Sequence, residues 1–229
     1  MSIECITFDL DDTLWAVEPV ILRAEDLFYQ WLTQHCPRVT QRYDHASLTA
    51  HRRQFIAQFP DQRHDLSAMR TRWIAHIFEA FDYHDLRAED AFRFFWEHRN
   101  AVQLFDEVTP AMDQLHERYR LGVITNGNAC VQQIGIGHWF EFVVSSELAG
   151  HSKPAPQIFH SALALADVAP SRVVHVGDDP TNDVRGAAAV GMRTVWYNPR
   201  LLPWPGDDAP DAVISTMSQL HDAVRRISA

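Results

Sequence analysis

Cysteine is scarce in this 229-residue chain: there are three, Cys5, Cys36 and Cys130, far apart and without CxxC spacing. So sparse and odd a set offers no disulfide framework and reads as reduced thiols. Cys5 lies in an apolar run and is expected to pack in the core. Basic residues are also short, 20 against 30 acidic, for a formal net charge of −10. That balance argues against general binding to nucleic acid or anionic membranes, which relies on basic patches. No apolar run approaches the ~18 residues needed to span a bilayer. The residues after Met1 pass straight into Ile3–Phe8 with no basic stretch ahead of a long apolar one, so no signal peptide is expected. The 13 histidines are scattered and form no HExxH pattern, which leaves a histidine-held zinc without support. No repeat or low-complexity segment is visible. Asn198 to Pro210, with Pro199, Pro203 and Pro205, is the one Pro-rich stretch and reads as an irregular surface connection. These absences point to a cytoplasmic protein, a monomer or weak homodimer, with no nucleic-acid or membrane partner.

What is present is ample apolar material, 46% of residues, enough for a core and a smaller insert. Residues 3–8 form a short β-rich strand pattern that runs into Asp9-Leu10-Asp11-Asp12-Thr13. From Val17 to about Asn100 apolar residues recur at three- and four-residue spacing, as in Leu27, Phe28, Trp31, Leu32 and again in Met69, Trp73, Ile77, Phe78. This predicts an all-helical insert of about four helices, broken at Pro37 and Pro60. Strand and helix then alternate. Strands are predicted at 121–124, 142–145, 172–176, 193–197 and 212–214, and helices at 110–118, 157–166, 184–190 and 217–226. Short apolar strands alternating with helices predict an α/β fold, a Rossmann-like three-layer core around a parallel sheet. The predicted division is 1–16 with 101–229 as core and 17–100 as the helical-bundle insert. Ligands of such sheets bind outside the carboxyl ends of the strands. The polar signatures follow residues 8, 124 and 176, which are such ends.

Two carboxylates at i and i+2 just past a buried strand repel each other unless one is protonated or a cation sits nearby. Asp9 and Asp11 suit metal-assisted phosphoryl transfer, one attacking phosphorus and the other protonating the leaving oxygen and then activating water. Mg²⁺ takes oxygen ligands from a few carboxylates and the substrate phosphate. A third carboxylate is therefore expected, and Gly177-Asp178-Asp179 with Asp183 supplies it, the glycine permitting a tight exit from the strand. Thr125 and Asn126, ahead of Gly127, offer donors to phosphoryl oxygens, and Lys153 between Ser152 and Pro154 offers a compact positive charge.

Four signatures in this order, Asp9–Thr13, Ile124-Thr125-Asn126, Lys153-Pro154 and Gly177-Asp178-Asp179 with Asp183, span most of the core. With them the chain resembles the haloacid dehalogenase superfamily of phosphohydrolases. The resemblance implies that Asp9 is the nucleophile and Asp11 the general acid/base, that Thr125 binds the phosphoryl group and that Lys153 balances its charge. It implies Mg²⁺ held by the Asp9 side chain, the Asp11 backbone carbonyl and Asp178, with Asp179 and Asp183 steadying the site from behind. The insert resembles the helical cap of the superfamily's first cap class, which closes over the site and selects the leaving group. Phe8–Trp15, Pro19-Val20-Ile21, Thr71-Arg72-Trp73, Ile124–Asn128, Phe140–Val143 and His175–Asp179 are similar to bacterial phosphatases of flavin synthesis. Those act on 5-amino-6-(5-phosphoribitylamino)uracil and on flavin mononucleotide. A small phosphorylated metabolite is the expected substrate.

Other assignments stay open on the sequence. Asp179 and Asp183 could cap the following helix as well as serve the site. Arg72 could grip the substrate or pair on a helix surface. Trp73, Phe95 and Trp96 could stack a ring, but at helical spacing they read as core, and Trp15 is the better site-lining aromatic. A broad sugar-phosphate or nucleotide phosphatase, a phosphomutase, a haloacid dehalogenase and a non-catalytic binding module are the alternatives. Dehalogenation needs neither a proton donor at position 11 nor Mg²⁺, and all of Asp9, Asp11, Lys153 and Asp178 are present. Asp9→Asn is expected to lower turnover by on the order of 10⁴-fold or more while leaving the circular dichroism and melting unchanged. Turnover like that of the parent chain would refute a nucleophilic Asp9.

Overall fold

A computed structural model of the chain describes residues 2–228. Its contacts divide into two compact units, Met1–Ala16 with Gln103–Ala229 and Val17–Val102.

The first unit is built on a six-stranded parallel sheet. Its strands are β1 (Cys5–Phe8), β2 (Arg120–Thr125), β3 (Phe142–Ser145), β4 (Val173–Gly177), β5 (Arg193–Tyr197) and β6 (Ala212–Ile214). Their order, β3-β2-β1-β4-β5-β6, runs outward in one direction from β1 and then back in the other. The reversal lies beside β1, where a doubly wound sheet opens its ligand crevice. Register places Cys5 between Arg120 and Val173, and Phe8 between Val123 and Val176. Alternation then assigns each side chain to a face. Cys5, Ile124, Val144 and Val173 pack under Ile158, Phe159 and Ala187 of two helices, Pro156–Ala166 and Gly186–Ala189. Ile6, Phe8, Val123 and Val176 point to the opposite face and are equally buried. On that side Val108–His116 packs against β2 and against Leu220–Ser228. Cover on both faces is what an all-parallel sheet requires.

The second unit is all-helical among the described residues: α1 (Val17–His35), α2 (Pro37–Arg42), α3 (His45–Ala57), α4 (Leu66–Ala80) and α5 (Ala88–Arg99). The additional helix beyond the expected four is α2. It has six residues and buries one side chain, Val39, so it carries no readable periodicity. Pro37 starts α2 and Pro60 starts a 3₁₀ turn, positions where the missing N–H costs nothing. Asp44 and Asp65 cap α3 and α4, accepting from Ser47 N at 2.8 Å and Ala68 N at 2.7 Å. Phe28, Leu32, Trp73, Ile77 and Phe95 form the core of the unit, so Trp73 and Phe95 are packing residues. Glu25, nearly buried beside them, takes Arg52 at 2.6 Å and also Arg70, whose guanidinium lies over the Phe95 ring. Such a triad specifies packing more than it stabilises, because desolvation offsets most of the attraction.

Gly122 pairs with Phe142 on the edge strand β3, and a Cβ there would lie 2.3 Å from the Phe142 ring. Gly122→Ala is therefore expected to cost about 1–3 kcal/mol in urea unfolding. Adding Phe142→Leu is expected to recover part of that loss.

Candidate active site

Asp9, Thr125 and Asp178 sit at the carboxyl ends of the buried strands β1, β2 and β4, whereas Lys153 lies past β3 and a helical turn, and Asp183 lies in the turn Pro180–Arg185 that follows β4. Asp9 leaves β1 with its N–H on the Val176 carbonyl at 2.9 Å, so the backbone ladder continues past the end of the strand and aims the side chain into the crevice. The crevice is lined by Asp9, Asp11, Asp12, Thr125, Lys153 and Asp178, with Asn126, Gly127, Asp179, Asn182 and Asp183 around them. All of these belong to the first unit.

At its centre Lys153 Nζ donates to Asp9 Oδ1 at 2.6 Å, to Asp183 Oδ1 at 2.6 Å and to the Ile124 carbonyl at 2.9 Å. These bonds use all three ammonium protons. The lysine is 5% exposed, Asp9 7% and Asp183 2%, so this charge cluster is nearly free of water. Burial alone would lower the Lys153 pKa, but the Asp183 and Asp9 carboxylates outweigh it and hold the group firmly protonated. Burial raises Asp183 too, but Lys153 and the His175 hydrogen bond overcome it, and Asp183 stays a carboxylate. Asp9 is pushed the other way, upward, by burial first, against the pull of Lys153 and with help from the repulsion of Asp183 and Asp11. One ammonium thus serves two carboxylates, each at 2.6 Å.

Asp183 is fixed from three sides. Its Oδ2 accepts from Asp179 N at 3.0 Å, and its Oδ1 lies 3.2 Å from His175 Nε2. A carboxylate only accepts, so Nε2 carries the ring proton. The neutral ring then accepts at Nδ1 from the Thr7 hydroxyl, 2.9 Å away. Burial lowers the His175 pKa, in keeping with a neutral imidazole. Gly177 makes room for this arrangement, since a Cβ there would come within 2.2 Å of Asp183 Cγ. The glycine is needed for the approach of a carboxylate, whereas the sequence suggested a tight strand exit. Asp179 is the helix cap: its Oδ1 accepts from Thr181 N at 2.7 Å and Asn182 N at 2.8 Å, opening a π-helical turn, Pro180–Arg185.

Thr125 Oγ1 accepts from Gly127 N at 3.0 Å, which keeps its own proton to give into the crevice. Asn126 differs from its expected role. Its Oδ1 accepts from Lys153 N at 2.7 Å and its Nδ2 donates to the Lys153 carbonyl at 3.0 Å, so its side chain locks the lysine backbone instead of offering an amide to a ligand. Trp15 differs as well. It is fully buried and donates its indole N–H to Asp11 Oδ1 at 2.9 Å, so its ring is not available as a lining aromatic. Arg72 lies in the helical unit, its guanidinium over the Phe59 ring and 3.3 Å from Gln62 Oε1. Two residues with no assigned role also serve the site. Thr13 Oγ1 reaches Asp9 Oδ2 at 3.5 Å and Asp178 Oδ1 at 3.4 Å, and Trp196 Nε1 donates to the Asp178 carbonyl at 2.7 Å. Thr13 stands in the first signature and could have been found there. Trp196 is 18 residues from Asp178 and carries no local signal.

Asp9, Asp178 and Asp183 can each offer an oxygen within 4.8 Å of the others. An all-oxygen set fits a hard divalent cation. Asp183 already accepts from Lys153, His175 and Asp179, which makes Asp9 and Asp178 the better placed side chains to ligate. Burial, then Asp183 and Asp12, raise Asp178 to a pKa of about 7. The crevice is short of positive charge by itself.

The chain matches the family model described as haloacid dehalogenase-like hydrolase over residues 3–191. It is 31% identical to the 5-amino-6-(5-phospho-D-ribitylamino)uracil phosphatase YigB of Escherichia coli over 97% of this chain and 96% of that protein. It is 37% identical to a glyceraldehyde 3-phosphate phosphatase of Methanopyrus kandleri over 54% of this chain and 58% of that one. Among solved structures, a 2-haloacid dehalogenase from Pseudomonas syringae pv. Tomato superposes with a TM-score of 0.91 at 39% identity, covering 98% of this chain and 99% of the other. No helix among the described residues is long and apolar enough to cross a membrane.

A cation bound between Asp9 and Asp178 must displace the proton that Asp178 holds below about pH 7, so binding strengthens as pH rises. With Mg²⁺ as the probe, the increase in Tm is expected to be larger at pH 8 than at pH 5. Asp178→Asn is expected to remove that difference. An equal shift at both pH values would place the cation elsewhere.

Proposed function

The chain belongs to the haloacid dehalogenase-like hydrolase family, and from its site we propose that it is a Mg²⁺-dependent phosphomonoester hydrolase working through an aspartyl-phosphate on Asp9. The observation that carries this reading is the pair of roles set by environment. Asp9 is clamped to Lys153 at 2.6 Å, while Asp11, two residues on, lines the same crevice tied to a neutral indole. Two carboxylates held differently are what a nucleophile and an acid/base partner require.

In this mechanism Asp9 attacks phosphorus through a carboxylate oxygen, and the bond to the leaving oxygen breaks as Asp11 gives that oxygen its proton. Asp11, now a carboxylate, takes a proton from water, which attacks the aspartyl-phosphate and frees Asp9 and phosphate. Lys153 and the Thr125 hydroxyl offset the negative charge that gathers on the phosphoryl oxygens. Asp9, the Asp11 backbone carbonyl and Asp178 would hold Mg²⁺, which would supply the positive charge that favours an ionised Asp9. Asp183 works by holding Lys153. The helical unit Val17–Val102 serves as the substrate-selecting cap. The similarity to YigB along the whole chain supports a flavin-pathway phosphate ester as substrate, 5-amino-6-(5-phosphoribitylamino)uracil or flavin mononucleotide.

The likeness to a named 2-haloacid dehalogenase sustains a second reading, since a carboxylate can also displace halide from carbon. Halide leaves without a proton, and that reaction would leave Asp11 and Asp178 without a task. Assaying phosphate release and halide release in parallel decides between the two. Phosphate is expected from flavin mononucleotide, the ribitylaminouracil phosphate or sugar phosphates, falling on the order of 10²-fold or more in excess chelator. Halide release from 2-chloropropionate, with no phosphate from any ester, would reverse the assignment. A flat kcat/KM across the esters would remove the flavin-pathway substrate and leave the hydrolase.

A further inference from the structure

Between Asp11 and Trp15 the chain closes a small loop. Asp12 N donates to the Trp15 carbonyl at 2.8 Å, and Thr13 N and Leu14 N both reach the Leu10 carbonyl, at 3.2 and 2.8 Å. Asp12 turns the corner in the left-handed region, φ 59°, which aspartate tolerates better than most residues. The loop folds the Trp15 ring beneath Asp11, wholly buried, with its Nε1 2.9 Å from Asp11 Oδ1, while Asp11 itself faces the crevice. A buried indole N–H must find an acceptor, and here the acceptor is the proposed acid/base group. An indole only donates and has no affinity for a proton at working pH. It can therefore orient the carboxyl group without competing for the proton that Asp11 transfers. With Oδ1 engaged as acceptor, the proton that Asp11 transfers is placed on Oδ2.

Resting on the phosphatase reading above, we propose that Trp15 is a positioning residue that fixes Asp11 for proton delivery to the leaving oxygen. The role has a signature that plain packing lacks. An alkoxide leaving group must be protonated as its bond to phosphorus breaks, whereas p-nitrophenolate departs unprotonated. The step that forms the aspartyl-phosphate governs kcat/KM. In Trp15→Phe, kcat/KM for an alkyl phosphate such as glycerol phosphate is expected to fall about 10- to 100-fold, part of the usual general-acid contribution. For p-nitrophenyl phosphate the fall is expected to stay within about threefold, since no proton is required there. Benzothienylalanine placed at position 15 keeps the bicycle and replaces only the N–H, and the same split is expected if Trp15→Phe folds poorly. Equal losses on both substrates, or none on either, overturn the proposal. If the parent chain releases phosphate from neither ester, the hydrolase reading fails. The contact is still read independently by NMR: the Trp15 indole N–H resonance is expected to shift upfield in Asp11→Ala. An unmoved resonance overturns the proposal whatever the chemistry.

Discussion

The contact on which the site depends is the one ammonium group shared by two buried carboxylates. Lys153 cannot be buried alone, because removing a charge from water costs several kcal/mol that only close partners repay. Asp9 comes to it at 2.6 Å from the end of β1 and Asp183 at 2.6 Å from the π-helical turn after β4, and the Ile124 carbonyl completes its valence. Much of the neighbouring structure keeps that geometry. Asn126 grips the lysine backbone at both its N–H and its carbonyl. Gly177 leaves space for the Asp183 carboxylate, and His175, itself anchored on Thr7, holds one of the Asp183 oxygens.

This sharing explains how one crevice keeps carboxylates in different states. Asp183 receives donors on both oxygens and stays ionised. Asp9 receives the lysine on one oxygen and is pushed upward by burial, and Asp178 rises to about 7 for the same reason. A site in which two of three acids resist ionisation is arranged to gain from added positive charge. A divalent cation and a phosphoryl group entering together would bring charges of both signs and leave the crevice balanced. Asp11 stands outside this cluster, in the Asp11–Trp15 loop.

The parallel sheet supplies the rigidity that these distances need. Strands β1, β2 and β4 are buried on both faces, so their carboxyl ends cannot shift without unpacking the core. Side chains placed on such ends are held more closely than side chains on free loops. The helical unit has an independent core of stacked aromatics and a buried Glu25–arginine cluster, consistent with a separately packed body.

Much of this was legible in the chain itself. Periodicity marked the strands and the helical insert, and the signatures after residues 8, 124 and 176 placed Asp9, Asp11, Thr125 and Asp178 near strand ends. These are local properties: a buried strand reads as an apolar run, and a loop acid stands out beside it. Other features depended on distance in space. The six-residue α2 buries too little to show a period. The Asn126 side chain turned to Lys153, 27 residues on, and Trp196 reached Asp178 across a strand pairing. Gly177 revealed its purpose only once Asp183 stood beside it. Trp15 looked like a lining aromatic because its position by the Asp9–Thr13 signature was visible, while the direction of its ring was not. Sequence determined which chemical groups lie near strand ends. The tertiary structure decided which of them face the crevice and which hold the others in place, because a hydrogen bond depends on direction and on burial, and neither is a property of a residue's place along the chain.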